Sequence, residues 1–307
     1  MILLCGIRSE TPMQLLATRL EEMQEPFLLF HQRDFAACDL QFSIAAGAVK
    51  GRLAIHGQVW QLHEFHAIYP RLMDYRALPE LANQEEGSAL SQQCRILHEA
   101  LSQWVDISGA KVVNPTEAMA SNGSKPYQAQ LIRKAGFHIP ETLITNVPHL
   151  VEEFRRAHGK VIYKSISGTR SIVQTLEDAD LARLENIRWC PTQFQQFVSG
   201  TNLRVHVVGD EVYATAILSD VTDYRYARQQ TGEAAELAAA KLNEEWEERC
   251  VLLSRMLGLP FCGIDLKITP DGEVFCFEVN PSPAFSYYEL NTGQPISAAL
   301  ARLLAAA

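Results

Sequence analysis

Hydrophobic and polar residues alternate along residues 261–283, and this period of two predicts a pair of β-strands. The dipeptide Asp271-Gly272 is the turn signal that separates the two strands. If Asp271 and Gly272 form the loop, Ile268 faces Phe275 across the ladder. The stretch is therefore predicted to be a β-hairpin whose register follows from the position of its turn.

The same register brings two acidic residues together. Asp265 faces Glu278, and Asn280 lies on the same face of the sheet as Glu278. Carboxylates directly opposite each other are about 5 Å apart and repel unless a cation lies between them. Carboxylate and amide oxygens favour hard ions such as Mg²⁺, which also bind substrate phosphates. We therefore predict that Asp265, Glu278 and Asn280 bind a metal ion.

Two alternatives to the metal site stay open at this point. The hairpin could be an ordinary one whose two carboxylates face solvent. A longer, bulged loop would shift the register by one residue and break the pairing of Asp265 with Glu278.

The start of the chain shows a β-α-β pattern, which predicts a small parallel sheet. Residues 1–6 are typical of a buried strand, a helical spacing of apolar residues follows Pro12, and residues 26–30 form a second strand. Residues 47–69 are also strand-like. Arg71 follows, and it is interpreted either as a ligand-facing residue or as an ordinary surface arginine.

Short strands and helices continue through the rest of the chain. A helix is predicted over residues 84–105, and the small polar residues of 114–124 predict a linker. Two strands over residues 202–208 and 211–218 predict a hairpin. A long helix with an acidic outer face is predicted over residues 233–257.

These elements predict a mixed α+β and α/β protein of three units. With 307 residues the chain exceeds one typical domain. We expect an N-terminal α/β domain over residues 1–113, a central lobe over residues 114–198, and a C-terminal lobe over residues 199–307.

The composition of the chain restricts the classes of binding partner and the cellular compartment. The net charge of −9 argues against a nucleic-acid backbone as the main partner. The seven cysteines are scattered without a metal-binding spacing, which favours free thiols in a reducing cytoplasm. No apolar run approaches the roughly 20 residues of a membrane span, so no membrane association is expected.

Two further features, together with the hairpin, indicate a nucleoside triphosphate. Lys164 precedes the small polar loop of residues 165–171, where an ammonium group and loop N–H groups can approach phosphate. Residues 195–198 form an extended segment whose backbone can meet an adenine edge, and Arg204 on the next strand can clamp a phosphate. A strand-end lysine alone is more typical of a surface, so the interpretation depends on the combination.

The ordered set of motifs resembles the ATP-grasp superfamily, on the branch of RimK-type ligases. It consists of Lys125, Lys164, QQFVSGTNLR at 195–204, GIDL at 263–266 and EVNPSP at 278–283. The runs KSISGTRSIV at 164–173 and DYRYA at 223–227 also resemble the ATP-grasp ligases that cross-link ribosomally made precursor peptides, the microviridin or graspetide type. The resemblance covers about residues 110–307, and it implies two α+β lobes that clasp ATP after a small βαβ N-terminal domain.

The resemblance implies a role for each matching residue. Lys164, which also lies near adenine, and Arg204, which holds the terminal phosphate and the acyl phosphate, are the implied catalytic residues. The residues expected to bind ATP are Lys125, Lys164, Gln195, Gln196, Phe197, Val198 and Arg204. Asp265, Glu278 and Asn280 are expected to bind two Mg²⁺ ions, with Mn²⁺ as an alternative metal and Glu278 as the bridge.

Asn202 departs from the pattern of the superfamily, which often has Asp before Leu-Arg. The usual ribose or metal contact near this position is therefore left open. The phosphate-covering loop is also poorer in glycine than in many members.

The activity implied by the resemblance is an ATP-dependent carboxylate–amine or carboxylate–hydroxyl ligation through an acyl phosphate. The substrate is expected to be a peptide, a protein or an amino acid. Two rival functions are a phosphotransferase that stops at phosphorylation and a non-catalytic ATP-binding regulatory protein. The oligomeric state is open, with a homo-oligomer as one option.

Substrate contacts are expected outside the shared motifs. In the DYRYA run, Arg225 is a candidate for holding a substrate carboxylate and Asp223 for orienting the amine, with a solvent-exposed, salt-bridged loop as the alternative. Ser282, Phe285 and Tyr287 follow the predicted metal strand and are candidates for the acceptor pocket, with aromatic packing as the alternative.

Overall fold

A computed structural model of the protein describes residues 1–85, 87–166, 173–218 and 236–306. The strands within these ranges are β1 Ile2–Gly6, β2 Phe27–His31, β3 Cys38–Ala45, β4 Ala48–Ile55, β5 Gln58–Gln61, β6 Ala67–Pro70, β7 Lys111–Val112, β8 Thr142–Thr145, β9 Val161–Ser165, β10 Gln174–Thr175, β11 Thr192–Gln196, β12 Thr201–Val208, β13 Glu211–Leu218, β14 Glu236–Ala240, β15 Phe261–Ile268 and β16 Val274–Asn280. The α-helices span Thr11–Glu22, Ala89–Ile107, Thr116–Met119, Lys125–Lys134, Pro148–His158, Asp178–Leu181, Glu244–Met256, Ser286–Thr292 and Ile296–Ala305.

The predicted β-α-β start is confirmed. β1 pairs in parallel with both β2 and β6, and β6 pairs in parallel with β7, which gives the order β2-β1-β6-β7. Helix Thr11–Glu22 contacts helix Ile296–Ala305 through apolar side chains, including Leu16 and Leu300. The C-terminal helix therefore packs against the N-terminal unit, because both helices bury their apolar faces in one core.

A second, antiparallel sheet follows within the N-terminal unit. β3, β4 and β5 form a three-stranded meander in that order. Helix Ala89–Ile107 packs near it and buries Leu97, Leu101 and Trp104.

The central sheet has the order β10-β9-β11-β8 and is antiparallel throughout. Period-two alternation divides its side chains between two faces. Phe194 and Val161 lie in a small apolar core with Val151 of helix Pro148–His158. Gln193, Gln195 and Lys164 lie along a cavity.

The C-terminal sheet has the order β14-β13-β12-β15-β16, again antiparallel. Leu203, Val205 and Val207 of β12 point into one apolar core, with Leu253 and Leu257. The opposite face of β12 carries Arg204 and His206, so the predicted alternation along this strand is confirmed.

The predicted pairing of Asp265 with Glu278 is confirmed, although part of the predicted register is wrong. Ile268 pairs with Val274 and not with Phe275, because the loop contains Pro270 as well as Asp271 and Gly272. A β-bulge between Asp265 and Leu266 restores the predicted register beyond it. The extra loop residue and the bulge each shift the register by one residue, and the two shifts cancel.

The long helix predicted over residues 233–257 is wrong in its first half. Glu236–Ala240 is strand β14, which pairs with β13, and the helix begins only at Glu244. The alanines of this segment favour a helix in isolation, but pairing with the exposed edge of β13 overrides that preference. Asn243 caps the helix by accepting a hydrogen bond from the backbone N–H of Trp246 at 3.0 Å.

The segment predicted as a linker, residues 114–124, is structured. It contains helix Thr116–Met119 and a 3-10 turn over Ala120–Gly123. Its first residue, Asn114, is only 3% exposed. A buried amide needs hydrogen-bond partners, and it finds them in the C-terminal hairpin, as described below.

Candidate functional site

Three charged side chains stand side by side on one face of the C-terminal sheet. Arg204 on β12 is the cross-strand neighbour of Asp265 on β15, which is the neighbour of Glu278 on β16. Arg204 Nη1 lies 2.6 Å from Asp265 Oδ1. The arginine side chain is buried and the two carboxylates are half-buried, so the alternative of a fully solvent-facing hairpin does not hold.

Gly263 makes room for the guanidinium of Arg204. A Cβ atom at this position would lie 2.2 Å from Arg204 Nη2. On the other side, the guanidinium carbon lies 5.8 Å from the centroid of the Tyr288 ring, within range of a cation–π contact. The absence of a side chain at Gly263 therefore fixes where the charge of Arg204 lies.

Glu278 is also paired with a cation. Lys125 Nζ lies 2.9 Å from Glu278 Oε2 and donates a second hydrogen bond to Asn122 Oδ1 at 2.8 Å. Lys125 is the first residue of helix Lys125–Lys134, which packs against β16. The site thus holds two acid–base pairs, one on each acidic strand.

Asn280 is the last residue of strand β16, and Ser282 follows two residues later. Asn280 Oδ1 accepts a hydrogen bond from the backbone N–H of Ser282 at 2.9 Å, and an amide oxygen has a second lone pair for another contact. Ser282 Oγ accepts a hydrogen bond from Arg71 Nη1 at 3.0 Å. Phe285 is fully buried and packs against Phe261, so the alternative of aromatic packing holds for this residue.

Arg71 is a mostly buried link between the N-terminal unit and the end of strand β16, with a side chain only 11% exposed. Its guanidinium binds both carboxylate oxygens of Glu10 at 2.9 Å. It also donates to the carbonyl of Pro283 at 3.2 Å. The interpretation of Arg71 as a surface arginine is therefore wrong, and the residue holds the chain directly after Asn280.

The donor set suits a hard cation. Two carboxylates and an amide oxygen leave room for water and phosphate ligands, which is the coordination that Mg²⁺ favours. Across the part of the chain that the structure describes, no group of three or more His, Cys, Asp and Glu residues could hold a metal by itself. A metal held by Asp265, Glu278 and Asn280 would complete its coordination with water or phosphate oxygens.

A cleft runs from these charges to the central sheet. A cavity of about 130 Å³ has Asp265, Glu278, Lys164, Phe197 and Val198 on its walls. A larger cavity of about 660 Å³ adjoins it and is lined by Lys125 and Lys164, among others. The two cavities share Lys164, Gln195 and Phe277. The structure thus brings both predicted lysines, the extended segment and the acidic pair to one cleft.

The extended segment 195–198 is held by its neighbours. The backbone N–H of Gln196 donates to the backbone carbonyl of Glu141 at 2.9 Å, and the N–H of Phe197 donates to the backbone carbonyl of Lys160 at 3.0 Å. Gln195 Nε2 donates to Thr142 Oγ1 at 3.0 Å. A base bound beside this segment therefore cannot use the N–H groups of Gln196 and Phe197.

His206 is a neutral neighbour of Arg204. It is fully buried, and its ring lies 4.9 Å from the Tyr288 ring, edge to face. Burial and then the charge of Arg204 hold the pKa of His206 well below its usual value. The imidazole therefore carries no charge at neutral pH.

Two buried amides hold the acidic hairpin in place, and neither was predicted from the sequence. Asn114 Nδ2 donates to the carbonyls of Phe261 and Pro281 at 2.5 and 2.6 Å, and Asn114 Oδ1 accepts from the N–H of Phe261. Gln128 exchanges two hydrogen bonds with the backbone of Val279, at 2.8 and 3.2 Å. Polar residues in a linker and a helix are common, and only long-range contacts identify these two as structural.

A Gln128→Met variant is expected to lose roughly 2 kcal/mol or more of unfolding free energy. The substitution keeps the side-chain length but leaves the buried N–H and carbonyl of Val279 without partners. Urea denaturation measures the change. Gln130→Met, at an exposed position of the same helix, is the control and should be nearly neutral. Equal losses in both variants would contradict this role for Gln128.

Some predicted positions lie outside the described residues. Asp223 and Arg225, the candidates for substrate contacts, fall in residues 219–235, and most of the polar loop after Lys164 falls in residues 167–172. In the ranges that are described, no helix combines the length and apolar character required to cross a membrane.

Comparisons with known proteins agree on one family. A family model described as the RimK-like ATP-grasp domain matches residues 123–304. A probable alpha-L-glutamate ligase of Teredinibacter turnerae is 26% identical over 204 residues, which cover 62% of this chain and 66% of that protein. The match thus spans slightly less than two thirds of that relative's length.

Solved structures resemble the chain over nearly all of its length. The Chryseobacterium gregarium RiPP-associated ATP-grasp ligase, in complex with ADP and a leader and core peptide, superposes with a TM-score of 0.86 at 20% identity and covers 99% of this chain and 96% of its own. The ATP-grasp ligase PsnB, complexed with minimal precursor, Mg and ADP, has a TM-score of 0.79 at 26% identity, with 99% and 96% covered.

Proposed function

Since this chain belongs to the RimK-like ATP-grasp family, we propose that it is an ATP-dependent ligase that joins a carboxylate to an amine or a hydroxyl on a peptide substrate. The predicted ATP-grasp fold and the predicted branch are confirmed by the matches to the family and to precursor-peptide ligases. The observation that carries the proposal is the row of Arg204, Asp265 and Glu278 beside Lys125, which places two cations and two carboxylates in one cleft.

The nucleotide is proposed to bind between the two lobes. Its base would lie against residues 195–198, and its phosphates would lie near Lys125, Lys164 and Arg204. In support, Lys125, Lys164 and every residue of the segment except Gln196 line the two adjoining cavities, and Arg204 touches Asp265 on that wall. ATP-grasp ligases bind ATP and Mg²⁺, and PsnB carries ADP and Mg.

Asp265, Glu278 and Asn280 are proposed as the residues that hold the metal, as two Mg²⁺ ions or Mn²⁺ in their place. A bound metal would neutralise the phosphate charge that develops during transfer. When Asp265 and Glu278 turn to the metal, Arg204 and Lys125 are released toward phosphate oxygens. This exchange of partners keeps the charge of the site balanced.

The proposed reaction has two steps. An oxygen of the substrate carboxylate attacks the γ-phosphorus of ATP, the bond to the β–γ bridging oxygen breaks, and ADP leaves. The nitrogen of an amine, or the oxygen of a hydroxyl, then attacks the acyl carbon, phosphate leaves with the former carboxylate oxygen, and the nucleophile loses a proton. Arg204, buried and held by Asp265, is placed to stabilise charge on the transferring group.

The substrate side of the proposal rests on the relatives. The Chryseobacterium gregarium ligase is in complex with a leader and a core peptide, and PsnB with a precursor, which favours a peptide over a free amino acid. Ser282, exposed beside Asn280, is proposed to face the acceptor. Asp223 and Arg225 are proposed to hold the reacting groups of the substrate.

The division into units at residues 113 and 198 is part of the proposal. In its support, strands β1–β7 fall within residues 1–113, β8–β11 within 114–198, and β12–β16 within 199–307. Each sheet therefore lies inside one unit.

The test is a mass measurement. The intact protein is incubated with ATP, Mg²⁺ and candidate precursor peptides that carry acidic side chains together with threonine or lysine. The expected product is lighter than the peptide by the mass of one water for each cross-link, with equal ADP. A phosphorylated peptide without a new bond would indicate a phosphotransferase, and ATP binding without ADP release would indicate a regulatory protein. Either result contradicts the proposal.

A further inference from the structure

Lys267 is a cation of the cleft that the proposed reaction does not use. It lies on β15, two residues beyond Asp265 on the same face of the strand, and its side chain lines the smaller cavity. Lys267 has no ion pair with any described carboxylate, whereas Lys125 and Arg204 in the same cleft each have one. Its ammonium group instead contacts a backbone carbonyl and two aromatic rings.

The ammonium group of Lys267 is held in a fixed place. Nζ donates to the carbonyl of Val198 at 2.9 Å and lies 5.4 and 5.7 Å from the ring centroids of Phe197 and Phe277. Burial, and then the charge of Lys160, lower the pKa of Lys267. An ammonium group has three N–H donors, and the Val198 carbonyl takes one of them.

The position of Lys267 along the cleft decides which part of a nucleotide it meets. Val198 belongs to the segment that faces the base, and Asp265 belongs to the carboxylates that face the phosphates. Lys267 donates a hydrogen bond to the Val198 carbonyl. It lies about 7 Å from Asp265 along β15, which is the rise of two residues in a strand. The ribose of a nucleotide joins its base to its phosphates, so it passes beside Lys267.

Asn202 occupies the other side of the same point. It is the cross-strand neighbour of Lys267 and also lines the smaller cavity. An amide and an ammonium group stand here, so the site offers N–H donors where a carboxylate would offer only acceptors. Ribose hydroxyl oxygens can accept from such donors.

We propose that Lys267 recognises the ribose of ATP by donating hydrogen bonds to its hydroxyl oxygens, with Asn202 beside it. The inference rests on the proposed binding of ATP in this cleft and adds a residue that discriminates ribonucleotides from deoxyribonucleotides. Lys267 thereby also links the extended segment 195–198 to strand β15, because one ammonium group binds both the Val198 carbonyl and the nucleotide.

The test compares ATP with 2′-deoxy-ATP and 3′-deoxy-ATP in the full chain with Mg²⁺, by isothermal titration calorimetry. The wild-type protein is expected to bind ATP about tenfold more tightly than at least one deoxy analogue. In Lys267→Met, which keeps an apolar stem between the two phenylalanines, ATP affinity should fall about tenfold and the ratio between ATP and that analogue should approach one. Lys160→Met is the matched control, because Lys160 Nζ lies 3.9 Å from the same Phe197 ring but does not line the smaller cavity. It should keep both the affinity and the ratio.

Four results would overturn the inference. Equal wild-type affinities for the three nucleotides would remove the ribose contact without affecting the proposed function. If Lys267→Met loses the same affinity for all three nucleotides, the ammonium group contacts phosphate or only supports Val198, and it does not contact the ribose. A wild-type protein that binds none of them would overturn the proposed function as well. If Lys267→Met does not fold, Lys267→Arg is tested in its place. This variant keeps a donor and should keep the wild-type ratio of affinities, and loss of that ratio would contradict the assignment.

Discussion

A Glu278→Gln variant is expected to lose ATP-dependent ADP release by about 100-fold or more, while its thermal unfolding stays close to that of the wild type. Glu278 faces Asp265 across the hairpin and pairs with Lys125 at 2.9 Å. The amide keeps the size of the side chain but removes its charge, so a metal ion loses a strong ligand and Lys125 loses its partner. A coupled assay for ADP, with a thermal melt of the same sample, measures both quantities.

The control for this variant lies on the same hairpin. Glu273 is an exposed residue next to the turn, and Glu273→Gln removes the same charge away from the cleft. It should release ADP at the wild-type rate. Full activity in Glu278→Gln would contradict the assignment of Glu278 to the metal.

A Gly263→Ala variant is expected to lower turnover by roughly 100-fold without preventing nucleotide binding. The added methyl group would lie 2.2 Å from Arg204 Nη2, so the guanidinium must leave its place beside Asp265. Because the Arg204 side chain is buried, it has little room to move. Steady-state kinetics and a nucleotide titration separate the effect on turnover from any effect on binding.

A double-mutant cycle tests whether Gly263→Ala lowers turnover by displacing Arg204. If Gly263 acts by positioning Arg204, adding Gly263→Ala to an Arg204→Met variant should cause no further loss of turnover. Gly109→Ala, at a glycine with open space around its Cβ position, should behave like the wild type. Wild-type turnover in Gly263→Ala would show that Arg204 tolerates displacement, and additive losses would show that Gly263 acts elsewhere.

The acidic hairpin shows how far the sequence predicts a site and where it stops. The facing pair, Asp265 and Glu278, could be predicted from strand alternation and a turn signal. The turn itself has one more residue than predicted, with Gly272 at a φ of 89°, and the bulge beside Asp265 compensates. A bulge depends on how both faces of a strand pack, so local sequence does not announce it.

Other parts of the site depend on contacts between residues far apart in the chain. Asn114 and Gln128 hold the hairpin from 147 and 151 residues away. Strand β14 forms because β13 offers an edge, although its alanines favour a helix. Arg71 is held in place by hydrogen bonds to Glu10 and Ser282, which lie far from it in the sequence. In each case the residue type is compatible with several roles, and the tertiary structure selects one.

The identity of the family followed from the order of short motifs, because each motif has its own chemical requirement. Lysines and an arginine suit phosphate, an acidic pair suits a metal ion, and the fold brings these side chains to one cleft. The acceptor half of the reaction has no comparable requirement for residue type, since many side chains can hold a peptide. That half therefore rests on the relatives rather than on the residues.

The proposed activation of a substrate carboxylate by phosphorylation can be tested by isotope transfer. A peptide substrate whose acidic side chains carry heavy oxygen is incubated with the protein, ATP and Mg²⁺, and the inorganic phosphate is analysed by mass spectrometry. The acyl-phosphate route predicts one heavy oxygen in each phosphate released with product. Product formation with only unlabelled phosphate would contradict it.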